Sequence, residues 1–517
     1  MIATAGVSSP TRTVQSGPTI EPSPVPLPPL AARLVAVIAL AKVVFHLATA
    51  TLWGFHRDEF YYLAGGRHLA WGYVDHPPLT PFLYRVGETL FGDSLFGLHV
   101  IPALAGGAIV VMGALLAREF GGGRTSQAIT MLVAALGPLF LTTSHFLGTE
   151  TFELLAWSAA TWLVVRIVRT GDVRLWLAVG AVTGLGLLDK HSMAFWIIGA
   201  GVGLLATPQR RLLFNGWFVG GAAIALVLFA PNLIWEAQHH WATLEFTRNL
   251  RRRMLGESMP LFVPSQFGIV TAAGTVVWVV ALRRLFQRRQ PTEWAPYRWL
   301  AIAYVVLFVL LFASGGKPYY IGPIYLPLVA LGAVAIERTW SAGAQRNLIA
   351  AIVISGAVSA PLFTPMVPTS ALASFPMHKM NSDMGGMLGW HDEARQVAAV
   401  YHGLPADQQA NAVILAFSYS EASAVDYWHK KLGVPKAISG HNSYWWWGYR
   451  NAAPDATIVA VGIQPDRLAR LFAGCHEVTT LHAPHELMDD EILGDPIVLC
   501  QAYQPWSAVW PQLRMYA

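Results

Sequence analysis

Apolar stretches long enough to cross a membrane recur along the first 367 residues of this 517-residue chain. A hydrocarbon core of about 30 Å requires roughly 20 apolar residues in a helix. We place eleven candidate spans, at residues 31–53, 94–117, 125–143, 147–166, 174–189, 192–206, 212–234, 263–282, 299–314, 319–336 and 347–367. Because only 13% of the residues are charged, the chain is predicted to be a polytopic α-helical membrane protein with about eleven transmembrane helices.

The positive charges of the short loops predict the orientation of these spans. Residues 1–30 are rich in Pro, Ser and Thr, and we expect them to form a disordered cytoplasmic tail. The loops on the same side of the membrane then contain fourteen Arg residues, whereas the short loops on the other side contain only Lys190 and Lys317. The positive-inside rule therefore predicts a cytoplasmic N-terminus, and an odd number of spans predicts a C-terminus outside.

Three segments outside the membrane fall on that outer side, at residues 54–93, 235–262 and 370–517. The last is predicted to be an extracytoplasmic α/β domain that follows the membrane domain of residues 31–367. We expect strands at 412–417, 456–462 and 497–503, and helices at 421–431 and 465–473. Cys475 and Cys500 lie in this domain, where the sequence is compatible with a disulfide and with two buried thiols.

The first outer loop concentrates ionisable side chains directly after a predicted span. Asp58, Glu59 and Asp75 lie there together with His56 and His76. Ionisable groups clustered at a membrane face indicate a functional site, with an ordinary hydrated loop as the alternative. We also expect a short interfacial helix over residues 60–70, anchored by the aromatic residues Tyr61, Tyr62, Trp71 and Tyr73.

This loop resembles the first outer loop of the GT-C glycosyltransferases, in particular the protein O-mannosyltransferases and the aminoarabinose transferases that modify lipid A. In that group an Asp-Glu pair follows the first span, and an acidic-x-Pro-Pro-Leu signature comes shortly afterwards. Asp58-Glu59 and residues 75–79 match these two motifs. The aminoarabinose enzymes carry Lys where this chain has His76. Four further segments resemble motifs of the superfamily, at 186–192, 315–327, 418–422 and 439–445.

The resemblance implies a glycosyltransferase with a polyprenyl-phosphate sugar donor, since nucleotide sugars are cytoplasmic. The acceptor hydroxyl would belong to a lipid, a polysaccharide or a protein. The expected base is Asp58, because a partly desolvated carboxylate can have its pKa raised into a useful range. Asp75 would assist it or bind the sugar. Glu59 is also placed among the catalytic residues, although its direction on a helix suits orienting the loop or binding the acceptor.

Two sets of residues are expected to bind the substrates. The donor phosphate would contact His76, Lys190, Lys317, Tyr319, Tyr320 and Arg251. Cationic side chains that only reach lipid headgroups would explain some of the same positions. The sugar or the acceptor would contact Glu421, His441, Asn442 and Tyr444. Packing of this segment onto the membrane domain explains these four residues equally well.

Other functional classes predict different features of the sequence. A transporter or flippase predicts charged or broken spans in paired halves, and no strong internal repeat is present. A non-catalytic assembly protein would have no need of Asp58 or the two outer lysines. A divalent metal held by His56, Asp58 and His76 is compatible with the residue types, although their spacing is not diagnostic and no cofactor is required. The Arg residues lie in short clusters between apolar blocks, which excludes a nucleic-acid-binding patch.

Overall fold

The computed structural model describes residues 26–257, 259–287 and 293–516, without the side chains of 255–257 and 382. Residues 1–25 of the expected tail, and Arg288 and Arg289 of one inside loop, lie outside the described residues. The chain up to residue 363 forms helices α1 (Ala32–Thr49), α2 (Arg57–Arg67), α3 (Leu79–Phe91), α4 (Leu95–Glu119), α5 (Arg124–Leu136), α6 (Pro138–His145), α7 (Thr149–Thr170), α8 (Trp176–Asp189), α9 (Met193–Leu205), α10 (Gly216–Gln238), α11 (Ala242–Glu257), α12 (Met259–Ser265), α13 (Ala272–Leu285), α14 (Arg298–Ser314), α15 (Tyr325–Thr339) and α16 (Ala342–Phe363).

Each of the eleven predicted spans overlaps a helix, or two consecutive helices, of this set. In the described ranges, seven helical segments are long and apolar enough to cross a membrane: α1, α4, α7, α10, 295–314, 318–339 and α16. Three others, α8, α9 and α13, have 14, 13 and 14 residues and are short for a full crossing. The span predicted from residue 263 begins only at Ala272, because α12 ends at Ser265 and a turn follows.

One predicted span, at 125–143, is broken into α5 and α6, which meet at 56°. Gly137 and Pro138 lie at the break, and proline has no N–H with which to continue the helical ladder. The carbonyl of Ala134, which would otherwise pair with residue 138, accepts a hydrogen bond from Lys42 Nζ at 2.8 Å. Lys42 also donates to the carbonyl of Phe140 at 3.0 Å. A buried lysine of α1 therefore satisfies the backbone at this break.

The first outer loop folds into α2 and α3 and faces the protein interior. Its first helix begins at Arg57, because the carboxylate of Glu59 accepts the backbone N–H of His56 at 2.9 Å in a capping box. The expected interfacial anchors Tyr61, Tyr62 and Tyr73 are only 2%, 8% and 1% exposed. That expectation was wrong for these three tyrosines, because protein covers the loop; of the four anchors, only Trp71 is exposed.

The C-terminal domain contains α17 (Met377–Met380), α18 (Ser382–Gly385), α19 (Trp390–His402), α20 (Ala406–Asn411), α21 (Tyr419–Leu432), α22 (Ser443–Trp447), α23 (Pro465–Leu468) and α24 (Trp506–Leu513). Its strands are β1 (Val413–Ala416), β2 (Ile438–Ser439), β3 (Thr457–Val461), β4 (Ala473–Thr480) and β5 (Pro496–Gln501). The sheet order is β2-β1-β3-β5-β4, with β1 parallel to β2 and β3, and with β5 antiparallel to β3 and β4.

The observed sheet extends the α/β domain expected from the sequence. The three expected strands overlap β1, β3 and β5, but the expectation missed β2 and β4, which lie at the two edges. The helix expected at 465–473 ends at Leu468, and β4 follows. Cys475 and Cys500 form a disulfide between the neighbouring strands β4 and β5.

The C-terminal domain packs directly on the first outer loop. Phe55 and Phe60 of the loop share one apolar core with Trp390 and the buried face of α21. Arg57 adds ion pairs across the same contact, at 3.1 Å to Asp489 and 2.9 Å to a carboxylate oxygen of Glu491. The position of α2, and of the acidic residues on it, is therefore set jointly by the membrane helices and by the C-terminal domain.

Candidate active site

Asp58 is the second residue of α2, at the contact between the first outer loop and α21. Its Oδ1 accepts a hydrogen bond of 2.9 Å from the hydroxyl of Tyr419, the first residue of α21. Burial and the negative charges of Asp58 and Asp75 raise the pKa of Tyr419 well above its ordinary value, so the phenol stays protonated and donates. The side chain of Asp58 is 36% exposed and can therefore meet a substrate.

Asp75 lies in the same pocket and is also held by neutral donors. Its carboxylate accepts hydrogen bonds from the hydroxyl of Tyr61 at 2.9 Å and from the side-chain amide of Asn442 at 3.2 Å. The rings of Tyr61 and Tyr419 stack with their centroids 4.3 Å apart. A stacked tyrosine pair thus joins the two carboxylates, which we call the carboxylate half of the site (Asp58 and Asp75).

His76 follows Asp75 but is buried, with 4% exposure. Its Nδ1 lies 2.9 Å from the carbonyl of Pro77, and its Nε2 lies 3.8 Å from a carboxylate oxygen of Asp75. The ring packs against Tyr61, Tyr62 and Tyr73. His76 is therefore placed to support Asp75, and its burial leaves it poorly placed for the expected contact with the donor phosphate.

Glu59 is fully buried and organises the loop around Asp58. Its carboxylate accepts hydrogen bonds from the hydroxyl of Tyr84 at 2.8 Å and the backbone N–H of Leu147 at 3.2 Å, and it contacts His99 Nε2 at 3.2 Å. Burial alone would raise the pKa of Glu59, but His99 and the hydrogen-bond donors lower it below the ordinary value. This environment fits the expected loop-orienting role and leaves no route for direct contact with a substrate.

Lys190 ends α8 and is held between two carboxylates at the start of α7. Its Nζ lies 2.7 Å from Glu150 and 3.1 Å from Glu153, and 4.7 Å from the ring centroid of Tyr320. Burial disfavours the charge, yet the two glutamates raise the pKa of Lys190 above its ordinary value. The sequence analysis identified Lys190 but did not predict its pairing with the two glutamates.

Lys317 lies near Lys190 but has a different environment. Its Nζ is 5.9 Å from the ring centroid of Tyr319, and it forms no ion pair with any carboxylate that the structure describes. The hydroxyl of Tyr319 lies 3.4 Å from Glu150. The exposed Arg251 approaches the same end of α14, with 3.5 Å between its guanidinium and the carbonyl of Ala313. We call Lys190 and Lys317 the cation half of the site.

We call the region between the two halves of the site the cleft, and two tyrosines are affected by charges near both halves. The charges of Asp58 and Glu150 both act on Tyr62, and the same two charges act on Tyr319. Burial, followed by Asp58, Glu150 and Asp75, raises the pKa of Tyr62 well above its ordinary value. The two halves thus offer a carboxylate for a hydroxyl and a cation for a phosphate.

The four residues expected to bind sugar or acceptor divide into two pairs. Glu421 and Tyr444 are each 1% exposed and contact Ser418 and Asp426 in the interior of the C-terminal domain. Their expected contact with sugar or acceptor stays a prediction, and their burial does not favour it. His441 and Asn442 lie nearer the site. His441 Nδ1 accepts the backbone N–H of Tyr419 at 3.2 Å, and Asn442 binds Asp75. Packing onto the membrane domain, the alternative interpretation, accounts for this pair.

A metal ion held by His56, Asp58 and His76 does not fit the geometry. The described part of the chain contains no group of three His, Cys, Asp or Glu side chains that could hold a metal ion. His56 Nδ1 accepts the backbone N–H of Asp58, whereas His76 turns towards Pro77. The three side chains therefore serve separate parts of the loop.

Tyr419 and Tyr61 are the site residues that the sequence did not identify as such. Tyr61 was interpreted as an interfacial anchor, and Tyr419 appeared only within the motif at 418–422. One local signal was present, since Ser418 and Glu421 form a capping box that starts α21 at Tyr419. The contact of Tyr419 with Asp58 spans 361 positions of the chain and has no local signature.

Comparison with known sequences supports the resemblance found in the motifs. Residues 75–235 match the family described as dolichyl-phosphate-mannose-protein mannosyltransferase. The chain is similar to undecaprenyl phosphate-alpha-4-amino-4-deoxy-L-arabinose arabinosyl transferase 1 of Pseudomonas fluorescens, with 28% identity over 53% of this chain and 52% of the relative. It is also similar to the lipid A galacturonosyltransferase RgtD of Rhizobium johnstonii, with 24% identity over 74% of this chain and 81% of the relative. The chain thus spans about half the length of the arabinosyl transferase.

Solved structures share the fold over nearly the whole chain. ArnT from Cupriavidus metallidurans in the apo state superposes with a TM-score of 0.59 at 16% identity, covering 91% of this chain and 98% of ArnT. The same protein bound to undecaprenyl phosphate gives a TM-score of 0.57. The mycobacterial arabinofuranosyltransferase AftD gives 0.51 and covers 93% of this chain and 40% of its own. These likenesses confirm the expected fold class, a polytopic helical membrane protein with a small C-terminal sheet.

Proposed function

We propose that this chain, which belongs to the GT-C glycosyltransferases, transfers a sugar from a polyprenyl-phosphate donor to an acceptor hydroxyl at the outer face of the membrane. The names of its relatives support the donor class, since the arabinosyl transferases are named for undecaprenyl phosphate. The name of the galacturonosyltransferase RgtD supports a lipid acceptor. The asymmetry of fourteen loop arginines against two lysines supports the outer location of the site and a place in the inner membrane.

The observation that carries the proposal is the environment of Asp58. Its carboxylate is accessible and accepts a hydrogen bond from a phenol that stays protonated. In the reaction, the acceptor hydroxyl gives its proton to Asp58 while its oxygen attacks the anomeric carbon. The bond between that carbon and the phosphate oxygen breaks, and its electron pair leaves with the lipid phosphate. A positioned base contributes about 10²- to 10⁴-fold to the rate of such a step.

The cation half stabilises the departing phosphate. Lys317 suits this role because no described carboxylate neutralises it, and Arg251 lies at the same helix end. Lys190 remains paired with Glu150 and Glu153, so its contribution is to fix that corner of the cleft and to orient Tyr320. Asp75 retains a supporting role as the second carboxylate, and Glu59 orients the loop.

The proposal is tested by radiolabelled transfer from synthetic polyprenyl-phosphate sugars into membrane lipid, with aminoarabinose and galacturonic acid among the donors. Asp58→Asn should lower the transfer rate by about 10²- to 10⁴-fold, with little change in the midpoint of thermal unfolding. Asp93→Asn is the matched control, because Asp93 is an exposed carboxylate at the end of the same loop. Equal rates for wild type and Asp58→Asn would remove Asp58 as the base, and no transfer from any donor would overturn the function.

A further inference from the structure

The C-terminal domain supplies one direct contact to the carboxylate of Asp58. Tyr419 donates its hydroxyl hydrogen to Oδ1 at 2.9 Å, across a contact between α21 and α2. The other oxygen, Oδ2, lies 3.8 Å from His56 Nδ1, which is longer than a hydrogen bond. One oxygen of Asp58 is therefore bound by the C-terminal domain, and the other is available to accept the proton of the acceptor hydroxyl.

Three contacts fix the orientation of Tyr419 itself. Its ring stacks on Tyr61 at 4.3 Å and lies 4.9 Å from the ring of His441. Its backbone N–H donates to His441 Nδ1 at 3.2 Å. Ser418 and Glu421 cap the helix at this point, so the backbone that carries the phenol is also held. Little rotamer freedom remains to be lost when the phenol binds Asp58, which makes this hydrogen bond effective.

We propose that Tyr419 is a positioning residue for the catalytic base, and that the C-terminal domain thereby completes the active site. This inference rests on the proposed function, with Asp58 as the base. The phenol holds the Asp58 carboxylate in one rotamer through a charge-assisted hydrogen bond to one of its oxygens. Tyr419 acts through Asp58 and needs no contact with donor or acceptor.

The decisive variant is Tyr419→Phe, which keeps the ring and its stacking on Tyr61 while removing the hydroxyl. We expect kcat for sugar transfer to fall by roughly 10- to 100-fold, the range for a hydrogen bond to a charged group. The KM for the lipid donor should stay within about twofold, because Tyr419 does not contact the donor and the binding of the ground state is unchanged.

Tyr427→Phe is the matched control on the same helix. Its hydroxyl donates to the carbonyl of Asp93 at 2.7 Å, so it also links α21 to the first outer loop, but away from Asp58. A contribution of Tyr419 to domain docking alone would give both variants similar values of kcat. The positioning role predicts that only Tyr419→Phe lowers kcat while the KM for the lipid donor is unchanged.

A second variant tests the inference even if Tyr419→Phe folds poorly. Site-specific difluorotyrosine at position 419 preserves size and stacking but changes the donor strength of the phenol, so kcat should change while the KM for the lipid donor and the unfolding midpoint do not. An unchanged kcat in both Tyr419 variants would overturn the inference. If Asp58→Asn is inactive in the same assay, the proposed function stands and only the inference falls. If the wild type transfers no sugar, both fall.

Discussion

Neutral donors hold the carboxylate half of the cleft, whereas opposite charges hold much of the cation half. Asp58 and Asp75 each accept a hydrogen bond from the hydroxyl of a tyrosine. Lys190 is already compensated by Glu150 and Glu153 at 2.7 and 3.1 Å. The carboxylates are therefore available to react with a substrate, whereas Lys190 holds Glu150 and Glu153 in place.

Acidic residues of this region differ in their roles, and so do its two lysines. Asp58 of the carboxylate half and Glu59 are adjacent in the chain, yet one side chain is 36% exposed and the other is fully buried. Within the cation half, Lys317 forms no ion pair with a described carboxylate, whereas Lys190 is paired with Glu150 and Glu153. Burial and compensation, and not residue type, separate the groups that meet substrate from those that support them.

The largest effect is expected when the support of the carboxylate half is removed. Glu59→Ala deprives Tyr84, Leu147, His56 and His99 of their shared acceptor. Buried donors without an acceptor cost about 1–3 kcal/mol each, and breaking a buried charge pair costs about 3–5 kcal/mol. We expect the free energy of unfolding in detergent to fall by about 3–5 kcal/mol.

Asp93→Ala is the control for this stability measurement. It removes a carboxylate of the same loop whose side chain is 59% exposed and paired with Arg67. An exposed pair of this kind is worth about 0–1 kcal/mol. Similar losses for Glu59→Ala and Asp93→Ala would show that Glu59 does not organise the loop, and the contrast with Asp58 would then lose its basis.

The next effect separates the two lysines of the cation half. Lys317→Gln should lower kcat by roughly 10- to 100-fold with unchanged thermal unfolding, because a charge-assisted contact to the leaving phosphate is lost. Lys190→Gln should lower the unfolding midpoint as well, because it leaves Glu150 and Glu153 without their cation. Rates and unfolding midpoints of both variants provide the check. Unchanged transfer by Lys317→Gln would contradict its assignment to the phosphate.

Much of the fold could be predicted from the sequence, because the signals were local and periodic. Apolar runs located a helix for every expected span. The direction of the spans, which follows from the loop charges, stays a prediction. Alternation and turn residues located the central strands β1, β3 and β5. The edge strands β2 and β4 were missed, since one has two residues and the other is largely polar and exposed.

Only those residues of the site that lie in a recognisable sequence pattern could be predicted. Asp58, Asp75, Lys190 and Lys317 were found because charge at a membrane face is unusual. Their environments depend on contacts between distant parts of the chain, such as Tyr419 with Asp58 or Asn442 with Asp75, 367 positions apart. The tyrosines were assigned to the interface for the same reason, because no local pattern reveals that a second domain covers them.

The C-terminal domain carries a third arrangement of charge, with carboxyl groups buried beside one another. Glu421 and Glu393 are 1% and 0% exposed, and neither carboxyl has a cation partner among the described residues. Burial raises the pKa of Glu421 to about 8, and burial together with Glu421 raises the pKa of Glu393 well above its ordinary value. The other acidic groups that act on this pair are Asp495, Asp489 and Glu491.

The last effect follows from this pair and concerns the pH dependence of the stability of the domain that supplies Tyr419. The folded state binds a proton at Glu421 up to about pH 8, whereas the unfolded chain releases it near pH 4.5. Between these values the folded state holds more protons, so the free energy of unfolding should fall as pH rises, by up to ~1.4 kcal/mol per pH unit. Glu421→Gln should flatten the slope and raise the unfolding midpoint at pH 8. Glu486→Gln, at an exposed carboxylate paired with Lys379, should leave the slope unchanged. A wild-type midpoint that rises from pH 5 to pH 8 would mean that this pair is ionised and compensated.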